Sequence, residues 1–503
     1  MTAVHTAPPS SPERPDDPAD AAYAGDLDTA LRTADAALRD RSDPDGQGRA
    51  AAVLAAVLPH RGLLARSADL HRWLARRHGR SAPDAVVALL GTGALDEATT
   101  AVTSAEKVAG PAAGLAPGLA DAADVLTARG VLASVTGDSS AALSLLTRAA
   151  TALAVCDRPA VRGDTPAALG ALVALHRGEP ELGGPLLDRA LALDLGGPAH
   201  RRRHLLLRAW CALAAGDGAE ARSLRARAGE AGPDVVEPRD ELVAVALDVA
   251  LARRAGDVRA LLDLWARARE ALVRHPVDLY VLLPVGELAL AAARLGEQGW
   301  VAPHLEEGAA LLDALGQPPL WSTPWHWYGL QYAIATEQTS AAASHAEGLA
   351  AAARVTHPAV APARAAAAWL RVLAGDVDPD EVTAAATGLR AAGLGWDGSR
   401  LAGEAALRTT DRRAISALLA CARDLHPPQE EAVPTPRTSG VVLSEREREV
   451  AALVVQGLTY REIGARLFLS AKTVEHHVAR LRHRLGSASR SELFGDLRAA
   501  LGR

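Results

Sequence analysis

A turn signal recurs along most of this sequence, and it constrains the fold more than any other feature. A glycine followed by aspartate or glutamate separates apolar stretches, at successive spacings of 41, 38, 40, 40 and 79 residues. The six pairs are Gly137-Asp138, Gly178-Glu179, Gly216-Asp217, Gly256-Asp257, Gly296-Glu297 and Gly375-Asp376. The last spacing is about twice the others, and Thr336-Glu337 falls where the missing pair would stand. Glycine favours the positive φ that follows a helix end, and an acidic residue favours a helix start. The pattern predicts a helix, a tight turn and a helix, repeated about every 40 residues.

The composition supports an all-α fold. Hydrophobic residues make up 49% of the chain but aromatic residues only 3%, and alanine and leucine dominate. A hairpin of two helices cannot bury its apolar face alone, so we expect the hairpins to stack into a superhelix with a concave surface. Such an array resembles tetratricopeptide-like repeats, although its period exceeds their roughly 34 residues. The alternative is an irregular all-helical domain.

Four segments are expected along the chain. Residues 1–20 are rich in Pro, Ser and Asp and predict disorder, and residues 21–425 carry the helical repeats. Residues 426–440 contain four prolines and predict a semi-rigid linker. Residues 441–503 hold eleven Lys or Arg against seven Asp or Glu, a net charge of +4 in a chain of net charge −6. A basic module on an acidic body is typical of a DNA-binding tail joined to another domain.

Several classes of function are excluded by what the sequence lacks. Cys156, Cys211 and Cys421 are far apart and have no metal-ligand spacing, so no disulfide framework or zinc site is expected. Neither lysine, Lys107 or Lys472, lies in a phosphate-binding P-loop, and the histidines of the middle region are scattered. The first residues do not resemble a signal peptide, and no apolar run is long enough to span a membrane. We therefore expect a cytoplasmic protein that is not an enzyme and has no cofactor.

The C-terminal module predicts four helices with a short turn between the second and third. Three S/T-x-x-E capping boxes mark helix starts: Ser444 with Glu447, Thr459 with Glu462, and Ser489 with Glu492. Ser470 supplies a fourth start, and Gly457 and Gly486 end the first and third helices. Inward stripes are expected at Val450, Leu453 and Val454, at Ile463 and Leu467, at Val474, Val478, Leu481 and Leu485, and at Leu493, Phe494, Leu497 and Leu501. The turn at 468–470 is short enough for a helix-turn-helix.

These motifs resemble those of the LuxR family of regulators. The matching segments, in chain order, are LSEREREV at 443–450, GLTYREI at 457–463, LSAKTVEHH at 469–477, RLG at 484–486 and RSEL at 490–493. The resemblance covers about 60 residues and implies a bacterial transcription regulator that binds double-stranded DNA. Two positions depart from the family pattern: Gly464 replaces the usual alanine, and Glu475 replaces a lysine that often follows T-V.

The contacts with DNA follow from placing the third helix, residues 471–485, in the major groove with its apolar stripe turned inward. The residues expected nearest the base edges are Lys472, Glu475, His476 and Ala479. Those expected at phosphates are Thr473 and Arg480, with Thr459 and Arg461 at the start of the second helix. Lys472 is placed for guanine or for a phosphate, and Glu475 for cytosine N4. Alternatively, Glu475 pairs only with Lys472 one turn earlier.

Two further sites are expected. Family resemblance implies a homodimer through the fourth helix, with Arg490, Leu493, Phe494 and Leu497 as its contacts. Alternatively, the apolar residues of that helix only close the monomer core. The repeats are expected to bind an unidentified small-molecule or protein effector, with Trp321, Trp325, Trp327 and Tyr328 as the candidate site. Core packing is the alternative, and Trp321 and Trp327 are expected to lie off the packed face. A scaffold with a weak DNA-binding tail is the competing function.

Overall fold

The computed structural model describes residues 17–109, 118–156, 161–231, 236–425 and 445–455, with further single positions between 458 and 497. The described residues form helices, turns and bends, and none of them lies in a strand. The chain divides into two compact units, Met1–Pro427 and Pro428–Arg503. The all-α fold expected from the composition is confirmed. No helix within the described ranges is both long enough and apolar enough to cross a membrane.

The first unit begins with six helices that precede the first hairpin with a turn signal. They are α1 (Pro18–Tyr23), α2 (Leu27–Arg39), α3 (Pro44–Val57), α4 (Leu64–His78), α5 (Ala85–Gly91) and α6 (Leu95–Ala109). A 3-10 helix, Leu58–Arg61, joins α3 to α4. Each helix of this group packs against the next one in sequence.

Eight helical hairpins follow. Their helices are α7 (Leu119–Thr136) with α8 (Ser139–Leu153), α9 (Pro166–Arg177) with α10 (Pro180–Ala192), α11 (Pro198–Ala214) with α12 (Gly218–Glu230), α13 (Pro238–Ala255) with α14 (Val258–Arg274), α15 (Leu282–Leu295) with α16 (Ala302–Ala314), α17 (Pro319–Ala335) with α18 (Thr339–Ala353), α19 (Val360–Leu373) with α20 (Pro379–Ala391), and α21 (Gly395–Arg408) with α22 (Arg412–Leu425). Short 3-10 helices at Leu279–Val281, Gln298–Trp300 and His357–Ala359 lie in the connections. The first helix of each hairpin packs against the first helix of the next, which confirms the predicted stacking.

The turn signals act as the sequence predicts. All six glycines have positive φ, between +72° and +109°. Asp138, Asp217 and Asp257 each accept a hydrogen bond from a backbone N–H in the first turn of the next helix, at 2.8–2.9 Å. The missing seventh turn is present as well, but it is shifted by one residue, because Glu337 rather than Thr336 has positive φ, at +58°.

Within the described part of the array, side chains from helices that are far apart in sequence meet on the inner side of the stacked hairpins. The Tyr280 hydroxyl donates to the Val87 carbonyl at 2.8 Å, and the Trp321 indole N–H donates to Ser134 Oγ at 3.2 Å. Helix α17 packs against α7 and α9 as well as against its neighbours in sequence. The inward residues are largely apolar, so closing the array removes their surface from water.

A buried polar network lies inside this closed array. The Arg203 guanidinium donates to Asp164 Oδ2 from Nε at 3.2 Å and from Nη2 at 3.0 Å. Arg239 Nη1 donates to the Gly163 carbonyl at 2.6 Å, and its Nη2 lies 3.2 Å from His60 Nδ1. Burial acts to raise the pKa of the Asp164 carboxyl, but Arg203 and Arg239 outweigh it and hold that pKa well below its usual range. The network therefore carries an ionised carboxylate between two arginines.

Histidines that are scattered in the sequence meet at this network, which corrects the expectation that they do not cluster. The ring centroids of His60 and His200 are 4.8 Å apart, and those of His200 and His204 are 6.2 Å apart. The Thr165 hydroxyl lies 2.7 Å from His204 Nε2. Burial, with the nearby Arg239, lowers the pKa of His60 to about 3, and burial lowers that of His204 to about 4. These rings are therefore neutral near pH 7.

Candidate nucleic-acid interface

The second unit is described at its first helix and at single positions beyond it. Helix α23 spans Glu445–Val455 and begins directly after Ser444, the residue expected to cap it. Leu458 N–H donates to the Leu453 carbonyl at 3.3 Å. This is the 6→1 hydrogen bond that is typical of a Schellman motif at the end of a helix. Ser444 itself and Gly457, the expected C-terminal glycine, lie outside the described residues.

The inward stripes converge on one small core. Its buried members are Val450, Ala451, Val454, Ile463, Val474, Val478, Leu481 and Leu497, with Leu453, Val455 and Leu458 packed against them. Each of the four expected helices contributes at least one residue to this cluster. Leu467, Leu485, Leu493, Phe494 and Leu501 were expected there too, but they lie outside the described residues.

The charged residues of the third helix lie on its other side. Lys472 and Glu475 are exposed, whereas Val474, Val478 and Leu481 are buried. The described ion pairs do not include one between Lys472 and Glu475, so the pairing alternative has no contact in the structure. Within the described residues, a cation and an anion therefore lie on the solvent face of this helix without pairing with each other.

The start of the second helix is also at the surface. Thr459 is exposed, and its carbonyl accepts the first-turn hydrogen bond from Ile463 N–H at 2.9 Å. This is the position of a helix cap, as its capping box predicts. The remaining expected DNA contacts, Arg461, Thr473, His476, Ala479 and Arg480, lie outside the described residues.

Only one of the four expected dimer contacts is described. Leu497 is fully buried in the core of the module, with Val450 and Ile463 in the same cluster. Its side chain closes the monomer core, as the alternative interpretation holds, and a residue with no exposed surface has none to offer a partner. Arg490, Leu493 and Phe494 lie outside the described residues.

The aromatic segment at the start of α17 is packed into the first unit on several sides. Trp321 and Trp327 are only 1% and 2% exposed, so the expectation that they lie off the packed face is wrong. Trp321 contacts His176 with ring centroids 4.3 Å apart, and Trp325 packs over Gly308, where a Cβ would come within 2.5 Å of its ring. The Tyr328 hydroxyl donates to Glu287 at 3.0 Å.

The physical reason is the position of α17 in the closed array. It packs against α7, α9, α15, α18 and α19, so almost every side of it is covered. Helical periodicity alone predicts one buried face for a surface helix, whereas a helix enclosed by others is buried all round. A ligand role for these four residues stays a prediction, and the contacts that the structure describes for them are packing contacts.

Ionisable side chains elsewhere in the described ranges were expected to form no metal site. No group of three or more His, Cys, Asp or Glu suited to holding a metal ion occurs among the described residues.

The buried network of Asp164, Arg203 and Arg239 was not predicted from the sequence. Its sequence signal is the run Arg202-Arg203-His204, because it stands in a helix whose other positions are mostly buried and apolar.

The small helical core with an exposed, charged third helix defines the second unit as a helix-turn-helix module. A model of bacterial regulatory proteins of the luxR family matches residues 441–495. The chain is 43% identical over 56 residues to the spore germination protein GerE of Bacillus subtilis, which aligns 11% of this chain with 76% of that protein. The chain therefore belongs to the LuxR family of bacterial regulatory proteins.

Two longer relatives match over the same end of the chain. The DNA-binding transcriptional activator DevR/DosR of Mycobacterium tuberculosis is 37% identical over 82 residues, which are 16% of this chain and 34% of that protein. The oxygen regulatory protein NreC of Staphylococcus aureus is 42% identical over 52 residues, which are 10% of this chain and 24% of that protein. The chain thus spans a third or less of these two relatives.

Two solved structures align with about four fifths of the chain. The crystal structure of the APC/C hetero-tetramer Cut9-Hcn1 covers 80% of this chain and 94% of the matched chain, at 14% identity and a TM-score of 0.20. The yeast Tom70 structure covers 79% of this chain and 93% of that chain, at 13% identity and a TM-score of 0.24.

Proposed function

We propose that this chain is a sequence-specific DNA-binding transcription regulator, with residues 471–485 as the helix that enters the major groove. The observation that carries the proposal is the division of this helix into two faces. Val474, Val478 and Leu481 are buried, while Lys472 and Glu475 are exposed and unpaired with each other. A helix held by its apolar face presents its opposite face to a groove. One relative is itself described as a DNA-binding transcriptional activator, which supports the same role.

The proposed contacts divide into two groups. Base edges are met by Lys472, Glu475, His476 and Ala479, and phosphates by Thr459, Arg461, Thr473 and Arg480. A lysine reaches guanine or a phosphate, and a glutamate accepts from the cytosine amino group. The phosphate contacts set affinity and the base contacts set preference.

The proposal extends to the assembly and its setting. The active form is a homodimer on two half-sites, acting in the bacterial cytoplasm, and the helical repeats bind a small-molecule or protein effector. Leu497 does not take part in the dimer contact, because it is buried in the monomer core. The first unit supplies most of the chain, and in a regulator such a domain is suited to receiving a signal.

The test uses the full chain and DNA selected by it from a random pool. Lys472→Ala should weaken binding, and if Lys472 contacts a phosphate the slope of log affinity against log salt should flatten by about one unit. Glu475→Gln should instead change the preference at one base pair by about 1–3 kcal/mol. Fluorescence anisotropy over a salt series measures both effects, and footprinting on the selected DNA should protect two phased half-sites.

Arg448→Ala is the matched control, since Arg448 is an exposed cation on α23, outside the proposed reading helix. It should leave the base preference unchanged. If neither Lys472→Ala nor Glu475→Gln changed affinity or preference, the groove assignment would be wrong. A wild-type chain that bound all sequences equally would support the competing function, a protein scaffold with a non-specific DNA-binding tail.

A further inference from the structure

An apolar groove of about 400 Å³ lies on the outside of the first unit, between the second helices of two neighbouring hairpins. Helices α8 and α10 form its walls, and Ala150, Ala190 and Leu195, which belong to a buried cluster, form its floor. Leu182 and Leu193 mark its two ends and are 48% and 51% exposed. They are eleven residues apart, which is about 16 Å along a helix. A volume of this size suits a small organic molecule.

The hydroxyl groups that line the groove are already engaged. Thr147 Oγ1 donates to the Leu143 carbonyl at 2.8 Å, and Thr151 Oγ1 donates to the Thr147 carbonyl at 2.9 Å. Both bonds stay within α8. The other lining residues are apolar apart from Arg189. The groove therefore offers a bound molecule apolar walls and one cationic group with free N–H donors.

That cation, Arg189, has no acidic partner in the part of the chain that the structure describes. It is exposed, and its guanidinium makes no ion pair or hydrogen bond with any residue in the described ranges. The acids near it in sequence are engaged by other arginines: Asp188 pairs with Arg208 at 3.0 Å, and Asp194 with Arg201 at 3.6 Å. A guanidinium is best satisfied by a carboxylate, which it binds through two parallel hydrogen bonds.

We propose that this groove binds a small amphipathic carboxylate, with its apolar chain along α8 and α10 and its carboxylate on Arg189. Charge complementarity selects the acid, and the apolar lining selects a chain without further polar groups. Three leucines carry the apolar contact: Leu182 and Leu186 on α10, and Leu193 directly after its last residue. The inference deepens the proposed effector role of the repeats and rests on that proposal for its regulatory meaning, whereas the binding itself needs no DNA.

The test is titration of the full chain with decanoate in a calorimeter, with decanamide as the uncharged analogue. Decanoate should saturate one site per chain with a dissociation constant below about 1 mM. Decanamide should bind about ten- to a hundredfold more weakly, because the charge-assisted hydrogen bonds to Arg189 are lost. Arg189→Gln should weaken decanoate binding by a similar factor. Arg148→Gln is the matched control, since Arg148 is exposed on α8 but does not line the groove, and it should bind decanoate like the wild type.

A second variant tests the apolar end of the groove, away from Arg189. Leu182→Asp places a carboxylate at the exposed end of the groove and should abolish decanoate binding while the circular dichroism spectrum stays unchanged. The proposal is overturned if decanoate does not saturate, if Arg189→Gln and Leu182→Asp both bind normally, or if light scattering shows a ligand-free dimer that Leu182→Asp disrupts. A chain that binds its DNA but not decanoate overturns only this inference, and one that binds decanoate but not DNA overturns only the proposed function.

Discussion

At the scale of single residues, Asp164 forms the central ion pairs of the buried polar network in the first unit. Its side chain is 5% exposed and lies 3.0 Å from Arg203 and 3.7 Å from Arg239. Both buried guanidinium groups share this carboxylate, and Arg239 also lies 3.7 Å from Asp240, but only Asp164 accepts hydrogen bonds from Arg203 among the described contacts. Removing one partner of a buried ion pair leaves an uncompensated charge, which costs far more than loss of a pair on the surface.

Asp164→Asn should therefore lower the free energy of unfolding of the first unit by about 3–5 kcal/mol. The control is Asp188→Asn, because Asp188 also pairs with an arginine at 3.0 Å but its side chain is 55% exposed. That change should cost less than about 1 kcal/mol. Urea unfolding followed by tryptophan fluorescence measures both, since all nine tryptophans lie in the first unit. Equal costs for the two variants would show that burial does not strengthen the Asp164 pair.

At the scale of the repeating element, one of the seven turns that follow the spacing of about 40 residues differs from the other six. Six turns place glycine at the residue of positive φ, whereas the turn between α17 and α18 places Glu337 there, at +58°. A side chain in this conformation costs about 1–2 kcal/mol, and glycine avoids the cost while losing about 0.5–1 kcal/mol of chain entropy. The backbone turn of this repeat is thus present, although the glycine that marks the other turns is missing from its sequence.

Glu337→Gly should accordingly stabilise the first unit by about 0.5–1 kcal/mol. Glu347→Gly makes the same change at an exposed position inside α18, where it should cost about 1 kcal/mol because glycine weakens a helix. Thermal melting of the two variants beside the wild type measures the difference. If Glu337→Gly destabilised the protein as Glu347→Gly does, strain at this turn would be excluded.

At the scale of the whole molecule, the buried histidines tie stability to pH. The pKa of His60 is lowered to about 3, and those of His176 and His204 to about 4, chiefly by burial. In the unfolded chain a histidine titrates near pH 6.5. Between pH 6.5 and 4 the unfolded chain therefore binds protons at these histidines that the native state does not bind. The free energy of unfolding is highest above pH 6.5 and decreases as the pH falls toward 4.

Each of the three histidines should lower the free energy of unfolding by about 1.4 kcal/mol per pH unit in this window. The melting temperature of the first unit should thus fall steeply between pH 6.5 and 4.5, as followed by tryptophan fluorescence. His204→Gln should make the slope shallower by about one proton, and His78→Gln, at an exposed position, should leave it unchanged. A melting temperature that stayed constant from pH 6.5 to 4.5 would contradict neutral buried rings.

Local chemistry in the sequence was enough to predict the elements of this protein. Glycine at a helix end, an aspartate cap at the next start and the capping box at Thr459 act over a few residues, so they are legible without the fold. The same holds for the inward stripe of Val474, Val478 and Leu481, because helical geometry fixes which residues share a face. The family motifs within residues 441–495 could also be identified from the sequence, because each consists of residues that are close together along the chain.

Only the tertiary structure decided what the array does with its inner surface. The contacts of His60 with Arg239 and of Trp321 with Ser134 join residues 179 and 187 positions apart, and no local pattern specifies them. The sequence predicted that Trp321 and Trp327 lie off the packed face of α17, whereas the packing of five other helices around α17 buries both. The periodicity of a sequence predicts one buried face of one helix. The burial of each residue depends on how many other helices pack around that helix, and only the fold as a whole determines this number of helices.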